Sequence, residues 1–416
     1  MLQRKGVFAI LSVLGLFLIL HMAFSPAQFS VRIVATTAVG GVAFLLMTLS
    51  IFLSTRISAL ESWFGGLDRM YQVHKIGGVF AGLLVLAHFF AVQKELPVGA
   101  DPIVNSLTPS GPLGMIALVI SLGLSLNRKI PYSKWRPAHK LMGLVYFLVI
   151  GHFMTAPAVF VAQFGVSGMM LILAAIIGVL SYFYSVFGMN KRTALKYEIE
   201  AVNPMERATE IVLKPLAGAL KHKPGQFAFV EIQGKGWAEP HPFTISSAPG
   251  EDNLRFTIKV LGDWTRKVRE ELTVGGKVDV RGPYGCFDTT GAGDKQIWLA
   301  GGVGLTPFLS MIRAMQPDDT RNIHLVYAAR DKKDAIFLEE LQARAEKLGN
   351  VTIVSLFSDE GNFARVDMMK TKLPDALNTY EYFMCGPKPM IEAIMKDLKK
   401  EGVSREKIHT EAFEFR

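Results

Sequence analysis

The sequence predicts a multi-domain membrane protein: a six-helix transmembrane bundle, then an antiparallel β-barrel, then an α/β domain with a parallel sheet. Three observations carry this. Half of the 416 residues are hydrophobic and only 19% are charged, below the roughly 25% of an ordinary soluble domain. The long apolar runs lie in residues 1–190, which hold 12 Lys+Arg against 4 Asp+Glu, whereas the rest is nearly neutral, 33 against 32. Beyond residue 190, short β-type runs give way near residue 296 to strands alternating with helices, the pattern of a parallel sheet covered on both faces. Domains are expected at 1–190, 191–292 and 293–416. A basic excess confined to the apolar part speaks for membrane topology and against a nucleic-acid groove. The two cysteines, Cys286 and Cys385, exclude a disulfide scaffold and a multi-cysteine metal cluster.

A helix needs about 20 apolar residues to cross the hydrocarbon. Spans are expected at 6–24, 31–53, 71–92, 112–126 (short), 138–158 and 166–188. A cleaved signal peptide is the rival reading of the first, but no small-x-small cleavage site stands out and more spans follow. Arg4 and Lys5, then Arg56, Arg69 and Lys75, then Arg128, Lys129, Lys134, Arg136 and Lys140, then Lys191 and Arg192 fall on one side; Arg32 and Lys94 fall on the other. The positive-inside rule makes the first side cytoplasmic. The expected product is a multi-pass integral protein of the inner or plasma membrane, with both termini in the cytoplasm.

Four histidines lie inside these spans: His74 and His88, 14 residues apart, and His139 and His152, 13 apart. Polar side chains at membrane depth are costly and mark function. Spacings of 13–14 residues separate each pair by roughly 20 Å along a helix. His74 then levels with His139, and His88 with His152. Two imidazoles per level suit bis-histidine b-type haem, two haems in all. Zinc prefers one tetrahedral cluster with cysteine or carboxylate, which these spans lack. Thirteen residues do not return to the same helix face as fourteen do, so a distorted fifth helix or mutually rotated haems are expected. Gly77, Gly78, Gly82, Gly143 and Gly151 either admit a flat macrocycle or serve ordinary helix packing. His21 is read as structural.

In the second half, β-type runs at 196–202, 210–216, 226–232, 243–246, 254–261 and 277–281 have the spacing of a small antiparallel barrel. From Ile297 a strand runs into Gly301–Gly304 and a helix start at Thr306–Pro307. Glycine lets a pyrophosphate approach, and the helix start offers unpaired N–H groups. Cys385–Gly386–Pro387 repeats the strand–turn–helix order, where such sheets collect ligands. Cys385 either nears a nicotinamide ring or is a plain buried cysteine. In the barrel, His241–Thr244, Ser246–Pro249 and Lys259–Thr265 supply a basic residue, hydroxyls and a helix start able to hold another diphosphate.

These motifs together resemble the NADPH oxidase and ferric reductase superfamily, in a minimal bacterial form, along nearly the whole chain. The residues that carry the likeness are the two histidine pairs, HPFTISSAP (241–249), IKVLGDWT (258–265), GPYG (282–285), AGGVGLTPF (300–308) and MCGP (384–387). Many relatives in the wider reductase group have Arg-x-Tyr-Ser where this chain has His241 and Phe243; the oxidase branch is closer. The resemblance implies a ferric-reductase-like bundle holding two haems, an FAD domain on the barrel and a ferredoxin-reductase-like NAD(P)H domain. It makes His74, His88, His139 and His152 axial ligands. It places His241, Pro242, Phe243, Thr244, Ser247, Lys259 and Thr265 at the flavin, and Gly302, Gly304, Thr306, Cys385, Gly386 and Pro387 at the dinucleotide. Phe413 is the candidate shield of the flavin face, with Phe415 second; a core residue of the last strand is the plain alternative.

The implied activity is electron transfer from cytosolic NAD(P)H through FAD and two haems to an acceptor across the membrane, with O2 giving superoxide as the first choice. A ferric chelate, a quinone or a periplasmic partner is the alternative. A non-catalytic haem-binding anchor is the rival of another class. No acid/base pair, nucleophile or obligatory protein partner is evident. Arg330, with Lys332 and Lys333, favours NADPH with NADH tolerated, since a basic group there pairs with a 2′-phosphate; Asp331 beside it opposes that.

Overall fold

The computed structural model describes residues 5–27, 29–92, 110–127, 129–155, 165–187, 194–234, 236–237, 239–289 and 291–411. The chain forms two compact units, Met1–Arg192 and Thr193–Arg416.

The first unit is helical. Its elements are α1 (Lys5–Ala23), α2 (Val31–Leu53), α3 (Ser58–Phe64), α4 (Leu67–Ala91), α5 (Ser110–Leu126), α6 (Tyr132–Lys140), α7 (Met142–Thr155) and α8 (Gly165–Val186). In hydrocarbon a backbone must satisfy its own polar groups, which is why apolar runs of this length form helices. Ser30 caps α2 through its hydroxyl, which accepts from Ile33 N at 3.3 Å. The centre of the unit is built on α2, which packs against α1, α4 and α8. Phe17, Phe44, Ala81, Leu118, Tyr146 and Leu171 form its core. Large apolar residues such as Phe8, Ile19, Phe80, Phe90, Leu144 and Leu180 are exposed, as expected of a surface that faces lipid.

Four helices are long and apolar enough to cross a membrane: α1, α2, α4 and α8; α5 is a shorter apolar helix. The expected fifth span is not one helix but two, α6 and α7, interrupted at Leu141. The short α3, held by a left-handed Gly65 at its end (φ 79°), lies between spans and has no apolar run to announce it.

The second unit contains two sheets. One is antiparallel, with β1 (Leu195–Pro204), β2 (Ala208–Pro215), β3 (Phe227–Ile232), β4 (His241–Thr244), β5 (Leu254–Lys259) and β6 (Lys277–Tyr284) in the order β4-β3-β6-β1-β2-β5. A bridge between Ile245 and Phe256 brings its two edge strands together into a near-barrel. Its interior is apolar, around Tyr197, Ile211, Val230, Phe256 and Val280. The helix α9 (Asp263–Glu271) follows β5.

The other sheet is parallel throughout, with β7 (Lys295–Gly301), β8 (Asn322–Ala329), β9 (Val351–Phe357), β10 (Glu381–Cys385) and β11 (Ile408–Glu411) in the order β11-β10-β7-β8-β9. Side chains alternate across it. Trp298, Leu325 and Phe383 meet α10 (Thr306–Ala314) and α11 (Leu338–Leu348) on one face. Ile297, Val326 and Met384 meet α12 (Val366–Lys372) and α13 (Lys388–Lys400) on the other. Strand order reverses between β7 and β10, and ligands of such sheets bind at the carboxyl ends of strands where the order reverses.

Candidate functional site

The four membrane histidines come together as two pairs. The rings of His74 and His139 lie 6.0 Å apart, centre to centre, and those of His88 and His152 lie 6.4 Å apart; both pairs have an interplanar angle of 72°. Each ring turns one edge to the protein. His74 donates Nδ1–H to the Ser50 carbonyl at 2.7 Å, and His88 does the same to the Thr36 carbonyl at 2.8 Å. His139 Nδ1 lies 2.9 Å from Ser125 Oγ. Gly40 and Gly111 let α2 and α5 close on the rings: a Cβ at either would stand 3.0 Å from His88 or 2.6 Å from His152. Nε2 of all four has no hydrogen-bond partner among the described residues.

This arrangement fits a metal between each pair. Two metal–imidazole bonds of about 2 Å each, with about 1 Å from nitrogen to ring centre on either side, span about 6 Å. The donor set is nitrogen only, two to a level; no cluster of three or more His, Cys, Asp or Glu able to hold an ion occurs among the described residues. Two facing imidazoles to a level, with Nδ1 anchored on three of the four, would suit haem iron.

The break at Leu141 lies between His139 and His152, where the spacing departs from that of the other pair. Fourteen residues of ideal helix return to within about 40° of their starting direction, and thirteen fall about 100° shorter. Leu141 N bonds to Ala138 O at 3.1 Å and Leu144 N to Leu141 O at 2.9 Å, each spanning three residues. Such 3₁₀ turning adds about 20° per residue, in the sense that recovers the missing rotation; Val145 N, bonded to Leu141 O at 3.4 Å, returns to the four-residue pattern.

The expected roles of the glycines divide. Gly82 and Gly143 serve packing: a Cβ there would meet Leu122 at 2.4 Å or Tyr182 at 2.0 Å. Around Gly78 nothing lies within 4 Å. His21, read as structural, is buried and partnered. Its ring nitrogens meet Ser167 Oγ at 3.2 Å and Thr37 Oγ1 at 3.0 Å, and it stacks on Phe17.

In the barrel, β4 carries His241, Pro242, Phe243 and Thr244 as one strand paired with β3. Trp264, at the start of α9, packs on His241 at 4.1 Å and stacks on Phe243 at 5.6 Å, so the two barrel motifs meet. The Thr265 hydroxyl accepts from Leu261 N at 2.8 Å and Gly262 N at 2.9 Å. It therefore shapes the turn ahead of α9. Ser247 is fully buried. Its hydroxyl accepts from Arg255 N, and its carbonyl accepts from Ser310 of α10 at 2.6 Å.

The glycine turn sits where the strand order reverses. Gly302 has φ 54°, a conformation open chiefly to glycine. Gly304 lies against the turn after β10, and a Cβ would stand 2.3 Å from the Cys385 carbonyl; one on Gly301 would stand 2.6 Å from Pro387. Gly386 lies close enough that its Cβ would be 3.0 Å from Gly301 Cα. Thr306 opens α10 and donates its hydroxyl to the Val303 carbonyl at 3.0 Å. Cys385 is wholly buried in the core on the α10 face. Burial, with Glu411 beside it, pushes its thiol well above the ordinary range, so it stays protonated at neutral pH.

Lys259 reaches this turn from the barrel, pairing with Asp334 at 3.4 Å; a Cβ on Gly302 would stand 3.3 Å from its Nζ. Arg313 of α10 donates to the Ser246 carbonyl at 2.9 Å and forks onto Glu340 at 2.8 and 2.7 Å. Sequence reading missed these links, and it also missed Ser125, Gly40 and Gly111; Trp264 falls inside the IKVLGDWT motif but was given no role of its own. Residue type alone does not mark such supporting positions. Asp331 pairs with Arg207 at 3.4 Å. Its carboxyl is held below the usual range, first by the backbone hydrogen bond from Asp334 and then by Arg207. Arg330 is exposed. Phe413 and Phe415 lie outside the described residues.

Residues 39–150 match the ferric reductase like transmembrane component, 196–288 an FAD-binding domain and 298–396 an oxidoreductase NAD-binding domain. The chain is 34% identical over 207 residues to the glycine betaine monooxygenase reductase subunit of Chromohalobacter salexigens, covering 46% of this chain and 56% of that one. It is 31% identical over 232 residues to the flavohemoprotein of Bordetella pertussis, covering 49% and 56%. The chain thus spans little more than half the length of these relatives. The flavohemoglobin of Malassezia yamatoensis shares the fold with a TM-score of 0.52 at 18% identity, over 92% of this chain and 99% of that one. A ferric-reductase-like transmembrane component, an FAD-binding domain and a NAD-binding domain in that order are the architecture of the NADPH oxidase and ferric reductase superfamily, and this chain has it.

Proposed function

We propose that this chain is a transmembrane oxidoreductase that takes electrons from cytosolic NAD(P)H and delivers them, by way of FAD and two b-type haems, to O2 on the opposite face, giving superoxide. Bound FAD supplies the exchange of a hydride for single electrons, and the haems supply two one-electron stations. The chain's own part is to bind, orient and insulate.

Gly302, Gly304 and the start of α10 offer backbone N–H groups to the dinucleotide pyrophosphate. Cys385, Gly386 and Pro387 form the opposite wall of that cleft. Arg330 meets a 2′-phosphate; Asp331, engaged by Arg207, opposes it less than its charge suggests, so NADPH is the preferred donor and NADH is accepted. His241, Pro242, Phe243 and Thr244 line the flavin, with Lys259 and the turn shaped by Thr265 beside its diphosphate; Ser247 acts through its place in the loop. Phe413 is the candidate shield of the flavin face. His74 and His139 hold the cytoplasmic-side haem, and His88 and His152 hold the far one. The six spans run with both termini in the cytoplasm, as the basic loops require.

The observation that carries this reading is the pair of imidazole pairs at matched spacing, each with Nδ1 turned to the protein and Nε2 unpartnered. It is tested on the purified, full-length, cofactor-replete protein. NADPH should reduce a b-type haem only when FAD is present, and cytochrome c reduction should be sensitive to superoxide dismutase. Absence of a Soret band would refute the dihaem reading. Rapid NADPH oxidation without superoxide would move the acceptor to a ferric chelate, a quinone or a protein.

A further inference from the structure

The two histidine levels are not held alike. At the first, both rings are anchored: His74 Nδ1–H on the Ser50 carbonyl at 2.7 Å, and His139 Nδ1 on Ser125 Oγ at 2.9 Å. At the second, only His88 is anchored, on Thr36 O at 2.8 Å. His152 Nδ1 is buried and has no hydrogen-bond partner among the described residues. Gly111 closes over that nitrogen so tightly that even a Cβ would stand 2.6 Å from it. The hydroxyl of Ser125 on α5 thus has no counterpart 14 residues earlier on the same helix, where Gly111 stands.

An imidazole that donates its Nδ1–H becomes a more basic ligand through Nε2. A more basic axial ligand favours the ferric over the ferrous state and lowers the reduction potential, one of the chief ways a protein tunes haem. With two such bonds at one level and one at the other, the levels are biased in a fixed order.

We propose that Ser125 sets the His74–His139 level below the His88–His152 level in reduction potential, so that electrons entering at the first run downhill to the second. The proposal rests on the dihaem reading above. Ser125 acts through His139 and is a positioning residue; Gly111 keeps the other level without its second bond.

The test is a spectroelectrochemical titration of the purified full-length protein, with haem content measured separately as pyridine haemochrome. Wild type should titrate in two steps. Ser125→Ala should move the lower step upward, leave the upper step in place and narrow the gap, with two haems still bound. Ser125→Thr, which keeps the hydroxyl, should restore the wild-type gap. Two bound haems with an unmoved lower step in Ser125→Ala would overturn the proposal alone. So would loss of one haem in that variant, since the hydroxyl would then hold the group and not tune it. Absence of haem from the wild type would overturn the reading beneath it.

Discussion

The membrane unit and the nucleotide-binding sheet build their sites from opposite materials. In the first, four side chains on α4, α6 and α7 converge, each turned by a carbonyl, a hydroxyl or a glycine on α2 or α5. In the second, the candidate site is backbone: two glycine turns in contact at the reversal of strand order, with the Cys385 side chain buried behind them. The difference decides what each site tolerates. A side-chain site fails when one group is removed. A backbone site fails when one is added.

The sharpest test of the first half of that contrast removes side chains. His74→Ala with His139→Ala should halve the haem content and abolish reduction of the remaining haem by NADPH; unchanged haem content would break the comparison outright. The second half is tested by addition. Gly304→Val places atoms against the Cys385 carbonyl and should raise the KM for NADPH at least ten-fold, with a stability loss of about 1–3 kcal/mol from overpacking. Haem content should not change, and a normal KM would show that the turn does not hold the nucleotide.

Between the two lies the link from α10 to the barrel. Arg313→Ala removes the fork onto Glu340 and the bond to Ser246 and should cost about 1–3 kcal/mol in chemical denaturation, the usual worth of a hydrogen-bonded charge. Burial pushes the Glu340 carboxyl up, but the hydrogen bond and charge of Arg313 outweigh it and leave it below the ordinary value. A lowered carboxylate stabilises above its unfolded value of about 4.3 and loses that contribution as pH falls through the folded one. The gap between wild type and variant should therefore shrink below about pH 4; a constant gap would assign the loss to packing.

Arg330→Ala should raise the KM for NADPH several-fold, the scale of one charge-assisted contact, and leave that for NADH nearly unchanged. Equal effects would remove Arg330 from the 2′-phosphate. The smallest effect concerns the thiols. With Cys385 buried and its pKa raised, and Cys286 exposed, a maleimide should label one cysteine in native protein and two after denaturation. Fast native labelling of both would show that the turn opens.

The same contrast governs what the sequence discloses. The histidine pairs were legible because imidazole is rare in lipid and its spacing is countable. Their supports were not: Thr36 and Ser50 contribute carbonyls that every residue has, and Gly40 and Gly111 look like ordinary helix glycines. The strands of both sheets were legible from alternation and turn residues, and Gly301–Gly304 from its place between strand and helix. Ser247 and Thr265 were expected at the flavin; what no local pattern shows is that both hydroxyls accept backbone N–H groups of their own loops. Ser310, Arg313 and Asp334 join elements some 60 or more residues apart, beyond any local pattern.

The interruption at Leu141 also changes how related chains should be compared. Because the chain is overwound there, a one-residue insertion can relax into regular helix and leave both rings facing their partners. The same insertion beside Gly82, within the unbroken α4, would swing His88 by about 100° off its partner. The number of residues between the histidines of the fifth segment is therefore a loose ruler and that of the third a strict one. A search demanding equal counts in both would overlook proteins built on the same plan.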